Sequence, residues 1–373
     1  MRVLHVYRTF FPDTQGGLEE VVRQICKNTV TEGVESRLFC LSHHPEPAII
    51  DYDGIKVYRV KTHLEIASCG LSFSALSVFK ELVDWADVVH YQFPWPFADV
   101  LHLLARVKKP TVLTYQSDIV RQQGFLKLYR PLKHLFLKQM DALVATSPNY
   151  ARTSPVLQRY ADKVEVIPIG LDEASYPIAT ESDIDAMRQR VGEKFFLFIG
   201  VLRYYKGLST LLEAAKNTDL PIIIVGSGAE EQALKAQAKT LDLNHVYFMG
   251  RVSNQEKAAL IALSLAIVFP SHLRSEAFGV TLLEGSMQGK PMISCELGTG
   301  TSFVNKDNET GFVVPPVNPE KFRDAMEKLR ADSNLVEKFG KAARKRYEDL
   351  FTGHKMGLSY ATLYSKVLLS KKN

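Results

Sequence analysis

Phe195-Phe196-Leu197-Phe198-Ile199-Gly200-Val201-Leu202-Arg203-Tyr204-Tyr205-Lys206-Gly207 decides the fold. Its first part is a short unbroken apolar run, the pattern of a strand buried on both faces. A loop with two cations follows, and a helical pattern begins at Gly207. Strand, polar loop and helix in that order make one arm of a parallel α/β sheet.

The same alternation extends in both directions. Candidate strands before it are 3–7, 36–41, 55–60, 87–91, 110–115, 141–146 and 163–168. Candidates in the second half are 195–200, 221–226, 245–249, 266–270 and 291–295. Helical patterns separate most of them, among them 17–31, 207–217, 230–241, 279–288 and 318–330. The near-continuous apolar strands predict parallel sheets covered on both faces. The alternation pauses near 170–190, so two doubly wound domains are expected, 1–175 and 176–352. A further helix is expected in 353–373, with the potential to cross back to the first domain.

Composition narrows the class. The chain has 373 residues and a formal charge of +5, and the pI is about 8.8. Such a length exceeds what one core usually supports. The mild basicity fits anionic small ligands or an anionic surface and falls short of a nucleic-acid binder. Cys26, Cys40, Cys69 and Cys295 form no C-x-x-C pair and read as buried reduced thiols of a cytoplasmic protein. The histidines lack metal spacing, and His43-His44 reads as a loop pair. No apolar run reaches the roughly 18–20 residues of a membrane span. The start, Met1 to Tyr7, reads as a strand and not as a signal peptide.

Ligands of such sheets bind beyond the carboxyl ends of the strands. The polar and glycine anomalies fall there. Gly16-Gly17 precedes a helix and permits either close backbone approach to a ligand or a plain turn and cap. Gln92-Phe93-Pro94-Trp95-Pro96-Phe97 reads first as core, second as a wall for a sugar ring. Gln116-Ser117-Asp118 is either a cap or a polar group at the crevice. The stretch 121–138 carries Arg121, Lys127, Arg130, Lys133 and Lys138 with no acid among them. It is either a core helix with a solvated basic face or an element for an anionic membrane surface, and Pro131 would start or kink it.

The second half holds the stronger signals. Arg203 and Lys206 flank a helix start, where fixed cations, free amides and the helix dipole converge on an anion. Gly226-Ser227-Gly228 resembles part of a dinucleotide fingerprint without its third glycine. In Ser275-Glu276-Ala277-Phe278-Gly279, Glu276 lies in a loop, and Glu284 lies inside the following helix. Eight residues of helix rise about 12 Å. That is too far for a paired acid and base on one bond, so the two carboxylates are expected to hold two parts of one long ligand.

Together these residues resemble the family-four retaining glycosyltransferases of GT-B architecture. The carriers are the Gly16-Gly17 loop, Arg203 with Lys206, Glu276-x7-Glu284, and Val166-Ile167-Pro168-Ile169-Gly170-Leu171-Asp172 before the domain crossover. The opening Arg2 to Tyr7 with Pro12-Asp13-Thr14, and Asp118-Ile119-Val120-Arg121-Gln122, look similar to bacterial O-antigen mannosyltransferases.

The resemblance implies a first domain for the acceptor and a second for the nucleotide sugar. It implies that Arg203 and Lys206 bind the donor diphosphate and stabilise it as it leaves. Glu284 would accept from ribose hydroxyls. Glu276, with the amides of Ala277, Phe278 and Gly279, would hold the donor sugar. Gly16, Gly17, Gly200, Gly226 and Gly228 would border the donor, and Arg251 and Val252 would meet the base. No metal or cofactor is expected, because the cations replace Mg²⁺. Expected partners are a nucleotide sugar (GDP-mannose by preference), a lipid-diphosphate-linked glycan and the inner face of the cytoplasmic membrane, but no nucleic acid. One departure stands out. The family usually has a His where this chain has Gln116, in Thr114-Tyr115-Gln116-Ser117-Asp118. Gln hydrogen-bonds but carries no proton near neutral pH, and Asp118 is the candidate to compensate. The rival expectations are a GT-B sugar-nucleotide epimerase, a starch or sucrose synthase-like transferase, and a catalytically silent sugar-nucleotide binder.

Overall fold

A computed structural model describes residues 1–66, 69–118 and 123–371, with 123–128 as backbone only. The chain forms two compact units: Met1–Gly170 with Gly353–Asn373, and Leu171–Thr352.

The N-terminal unit contains β1 (Arg2–Val6), β2 (Glu35–Ser42), β3 (Ile49–Tyr52), β4 (Ile55–Lys61), β5 (Leu64–Ile66), β6 (Cys69–Leu71), β7 (Val88–Phe93), β8 (Thr111–Tyr115), β9 (Ala142–Ala145) and β10 (Val164–Val166). Eight of them form one sheet in the order β10-β9-β8-β7-β1-β2-β4-β3, and β5 and β6 form a hairpin. Every pairing in the large sheet is parallel except β3 with β4. This corrects the all-parallel expectation. Asp53 and Gly54 both hold positive φ between β3 and β4, the conformation of a tight two-residue hairpin turn.

The C-terminal unit contains β11 (Phe196–Ile199), β12 (Ile222–Val225), β13 (Val246–Gly250), β14 (Ala266–Phe269), β15 (Met292–Cys295) and β16 (Gly311–Val314). They form a parallel sheet in the order β13-β12-β11-β14-β15-β16. The order reverses direction beside β11, so loops after β11 and β14 diverge and leave an open strand end. The central strands are buried: Phe196, Phe198, Ile222, Ile224 and Val268 are in one core cluster. Helix Asn254–Leu263 starts with a capping box in which Ser253 and Glu256 exchange bonds. Such a cap stabilises a helix by about 1 kcal/mol.

Helix Gly353–Ser370 belongs to the N-terminal unit. It lies hard against helix Gly17–Thr29 because Gly357 lacks a side chain: a Cβ there would stand 2.1 Å from the Asn28 carbonyl oxygen. This approach brings the buried Tyr360 and Tyr364 under the sheet. Helix Gln123–Gln139 contains Pro131 in its interior, so this proline does not start it.

Candidate active site

The C-terminal unit gathers its charged groups where β11 and β14 end. Gly200 passes directly into the loop that carries Arg203 and Lys206, and the Lys206 stem runs alongside it. A turn over Tyr204–Lys206 ends at Gly207, whose φ of 68° caps helix Leu208–Ala215. A Cβ on Gly207 would meet the Pro270 carbonyl oxygen at 2.0 Å, so only glycine permits this packing of the two loops.

Lys206 forms an ion pair with Glu276. Ser271 Oγ donates to the same carboxylate oxygen at 3.1 Å. The ammonium also lies 4.8 Å from the Phe269 ring centroid and 5.4 Å from that of Tyr205. Burial works against the ammonium, but Glu276 and Tyr205 more than offset it, and its pKa is raised. Lys206 therefore stays charged. Arg203 acts in the opposite sense on that group, which puts the guanidinium within electrostatic reach of Lys206. Arg203 is exposed, and among the described residues its guanidinium has no ion pair. The pair Lys206–Glu276 is close to neutral as a unit, so Arg203 supplies the uncompensated positive charge.

Glu276 lies shortly before the start of a helix. Gly279, at φ 91°, caps helix Val280–Met287. Thr299 Oγ1 donates to the Glu276 carbonyl at 2.9 Å, and Gly300 N to that of Ala277 at 2.7 Å. These bonds hold the segment by its carbonyls. Among the described residues, the N–H groups of Ala277, Phe278 and Gly279 meet no acceptor. Thr281 Oγ1 anchors the helix to the Ile199 carbonyl at 3.1 Å, tying it to the end of β11. Glu284 is 6 % exposed and pairs with Lys257 at 2.8 Å.

The glycine pair after β12 has a structural role of its own. A Cβ on Gly226 would stand 1.9 Å from the Gly200 carbonyl oxygen, and one on Gly228 2.4 Å from that of Leu202. The loop thus packs backbone to backbone against the Arg203 loop and holds it in place. Arg251 joins this layer through Nε to Ser227 Oγ at 2.9 Å, and it is exposed. Val252 beside it is half-buried.

The N-terminal unit assembles a different site. Gln116 follows β8, is 2 % exposed and donates from Nε2 to Gln92 Oε1 at 2.8 Å. Asp118 Oδ1 accepts from Tyr115 Oη at 3.1 Å and from Ser154 Oγ at 3.0 Å. Gly16 caps the first helix in extended backbone that any residue adopts. A Cβ there would meet the end of the Glu19 side chain at 2.6 Å. Glu19 is buried and accepts from Thr9 and Thr14 hydroxyls at 3.1 and 2.8 Å, which folds the loop before Gly16-Gly17 over it. The aromatic segment is core: Phe93 and Trp95 are buried, and Phe93 stacks on Tyr115 at 4.8 Å.

The basic helix divides. Arg130 and Lys138 are exposed. Lys133 is a correction to the basic-face reading, because it is 8 % exposed and faces inward. Burial and Arg130 lower its pKa against the pull of Asp118 and Asp99. Arg121 and the Lys127 side chain lie outside the described residues. Ser271, Lys257 and Glu19 are not among the expected site residues, and Gln92 is expected only as part of a core or wall segment. Each is a single polar residue at no recognisable spacing from its partner.

Comparison with known proteins shows the family and the fold. Residues 15–175 match Glycosyltransferase Family 4, and residues 180–346 match Glycosyl transferases group 1. The chain is 50 % identical to D-rhamnosyltransferase WbpZ of Pseudomonas aeruginosa over 94 % of this chain and 92 % of that one. It is 44 % identical to O-antigen chain mannosyltransferase C of Escherichia coli over 100 % of both. Among solved structures, sucrose-phosphate synthase from Thermosynechococcus elongatus superposes with a TM-score of 0.82 over 99 % of both chains at 20 % identity. The class defined by fold and site is a GT-B glycosyltransferase. The chain belongs to the family 4 glycosyltransferases and is an enzyme of the hexosyltransferase class. Among the described residues, no helix is long and apolar enough to cross a membrane.

Proposed function

We propose that the enzyme transfers mannose from GDP-mannose to a lipid-diphosphate-linked glycan in O-antigen synthesis, with retention at the anomeric carbon. The observation that carries this reading is the buried Lys206–Glu276 pair beside the exposed, uncompensated Arg203 at the end of β11. In the reaction, the bond between the anomeric carbon and the diphosphate oxygen breaks, and its electron pair stays on that oxygen. Arg203 and Lys206 meet the charge that develops there. The acceptor hydroxyl oxygen bonds to the anomeric carbon from the same face, and its proton passes to the leaving phosphate. On this reading the two cations do the work of a divalent metal. Glu276 and the free N–H groups of Ala277, Phe278 and Gly279 hold the sugar, and Glu284 takes the ribose. Asp118 stays near the acceptor. Arg251 and Val252 border the base. The exposed Arg130 and Lys138 rest on the anionic inner face of the membrane.

Of the two similar transferases, O-antigen chain mannosyltransferase C is named for this sugar and WbpZ for D-rhamnose. D-Rhamnose is mannose without its 6-hydroxyl, so the decisive assay offers both GDP-mannose and its 6-deoxy analogue with a lipid-linked acceptor. The expected result is a new α-linked mannoside by NMR, unchanged by a chelator. Preference for the 6-deoxy donor would replace mannose by rhamnose. An inverted linkage, or an epimerised nucleotide sugar formed without acceptor, would refute the assignment.

A further inference from the structure

Two helices of the N-terminal unit bring three cations together. Arg130 and Lys133 stand one turn apart on helix Gln123–Gln139, on a shared face. Arg159 joins them from helix Pro155–Arg159. Hydrogen bonds hold these elements in place. The hydroxyl of Tyr160, next in the chain to Arg159, lies 2.9 Å from His134 Nδ1 and donates to the His134 carbonyl at 3.3 Å. Ser154 Oγ, at the start of the short helix, donates at 3.0 Å to Asp118, which follows β8. Tyr129 Oη donates to the buried Asp99 of helix Pro96–Ala105.

The three cations have no fixed partner. Among the described residues, the side chains of Arg130, Lys133 and Arg159 form no hydrogen bond and no ion pair. Lys133 matters most, because it is 8 % exposed. A lysine buried that far ordinarily has a partner. Its neighbours only partly supply one. Burial first, and then Arg130 and Arg159, lower its pKa, so both guanidinium groups act on the ammonium; Asp118 and Asp99 act the other way. Those two carboxyls are already engaged. Asp118 Oδ1 accepts from Tyr115 and Ser154, and burial raises the Asp99 pKa well above the usual carboxylate range, which weakens it as a counter-ion. Like charges gathered without an anion repel one another, and such a cluster is completed by a ligand that brings the anion.

We propose that Lys133 and Arg159, with Arg130 beside them, bind the diphosphate of the lipid-linked acceptor. The proposal rests on the sugar-transfer reading and gives the acceptor's charge a place within it. Each phosphate of such a diester carries a negative charge, and Lys and Arg take it through charge-assisted hydrogen bonds. Phospholipid headgroups share this phosphate chemistry, so the experiment separates the two sources.

The probes are geranyl diphosphate, geraniol as its phosphate-free counterpart, and dihexanoyl phosphatidylglycerol as a soluble headgroup. Each is titrated calorimetrically into the full enzyme in saturating GDP, which fills the donor site. The unmodified enzyme is expected to bind geranyl diphosphate about tenfold or more tightly than either of the others. Lys133→Gln should reduce that preference about tenfold and Arg159→Gln about threefold. The Kd of GDP should stay within about twofold in both, which shows that the variants are folded. In turnover, both substitutions should raise the KM for the lipid-linked acceptor and leave that for the donor unchanged. Equal binding of geranyl diphosphate and geraniol, or an undiminished preference in both variants, would overturn the proposal. Tighter binding of the phosphatidylglycerol, lost in Lys133→Gln, would assign the cluster to headgroups and overturn it as well. The titrations need no turnover. If the unmodified enzyme bound the diphosphate through Lys133 yet transferred no sugar, the transfer reading would fall and the phosphate site would stand.

Discussion

The two units share a doubly wound fold but hold their polar residues in opposite ways. The C-terminal unit pairs buried carboxylates with half-buried lysines, Glu276 with Lys206 after β11 and Glu284 with Lys257 from helix Asn254–Leu263. At the ends of β7 and β8 the N-terminal unit buries neutral groups: two amides, an imidazole, a threonine and two tyrosines. Buried charge is expensive and persists where it must meet another charge. A neutral chain stabilises no charge, but when its members are satisfied it makes the elements it joins rigid. On the transfer reading, the charges of the C-terminal unit are those that meet the donor diphosphate.

The largest effects expected from breaking this contrast are in the charged site. Arg203→Ala removes an exposed guanidinium, so stability should stay within about 0.5 kcal/mol. Turnover should nevertheless fall by roughly 2–4 kcal/mol in barrier, about 30- to 1000-fold. Lys206→Met should lose as much activity and also destabilise by about 3–5 kcal/mol, because it strands the buried Glu276 carboxylate. Adding Glu276→Gln to Lys206→Met should restore stability in denaturant unfolding without restoring turnover. Wild-type rates in Arg203→Ala would remove the diphosphate role altogether.

The neutral site should betray itself in acid. Burial lowers the His5 pKa to about 3 from 6.5. The unfolded chain binds a proton there that the folded state refuses. His5 therefore costs stability as pH falls below 6.5, by about 1.4 kcal/mol per pH unit until its folded value is reached. Asp99 in the same unit works in the opposite sense, because burial raises its pKa well above the usual carboxylate range. The difference between proteins isolates the histidine: from pH 6 to pH 4, His5→Gln should lose stability more slowly than the unmodified chain by that slope. Parallel slopes would show that His5 is not kept neutral.

The contrast also explains what was legible in the sequence. Each of the candidate strands, from 3–7 to 291–295, becomes a strand, most legibly the central ones such as β8, β12 and β14, which are buried apolar runs; β5, β6 and β16 were not among them. β3 was missed because its residues alternate between exposed and half-buried at a sheet edge, although Asp53-Gly54 is a hairpin signal in plain view. Arg203, Lys206 and Glu276 stand out as charges in loops near glycines, and Glu284 by its spacing from Glu276. The buried hydrogen-bonded chain from Gln116 through Gln92, His90 and Thr114 to Tyr360 and Tyr364 does not. His90 and Gln92 sit inside a strand otherwise made of apolar residues, and their partners Tyr360 and Tyr364 lie more than 240 positions away. Helical spacing places those tyrosines on one face, but no local pattern says which strand that face meets.

The smallest expected effect sharpens the comparison at the surface of the N-terminal unit. Arg130 and Lys138 are exposed, and Leu135 between them is 50 % exposed, whereas Lys133 is turned inward. If this helix rests on an anionic membrane, a basic residue near the surface contributes about 1 kcal/mol to binding. Sedimentation with vesicles containing phosphatidylglycerol should then show partitioning reduced about fivefold for Arg130→Gln or Lys138→Gln, and about 30-fold for both together. Lys133→Gln should leave partitioning unchanged, because Lys133 is only 8 % exposed. Raising the salt should weaken binding of the unmodified protein and erase the differences among the variants. Equal losses at all three positions would mean that net charge alone governs adsorption and that this face has no orientation on the membrane.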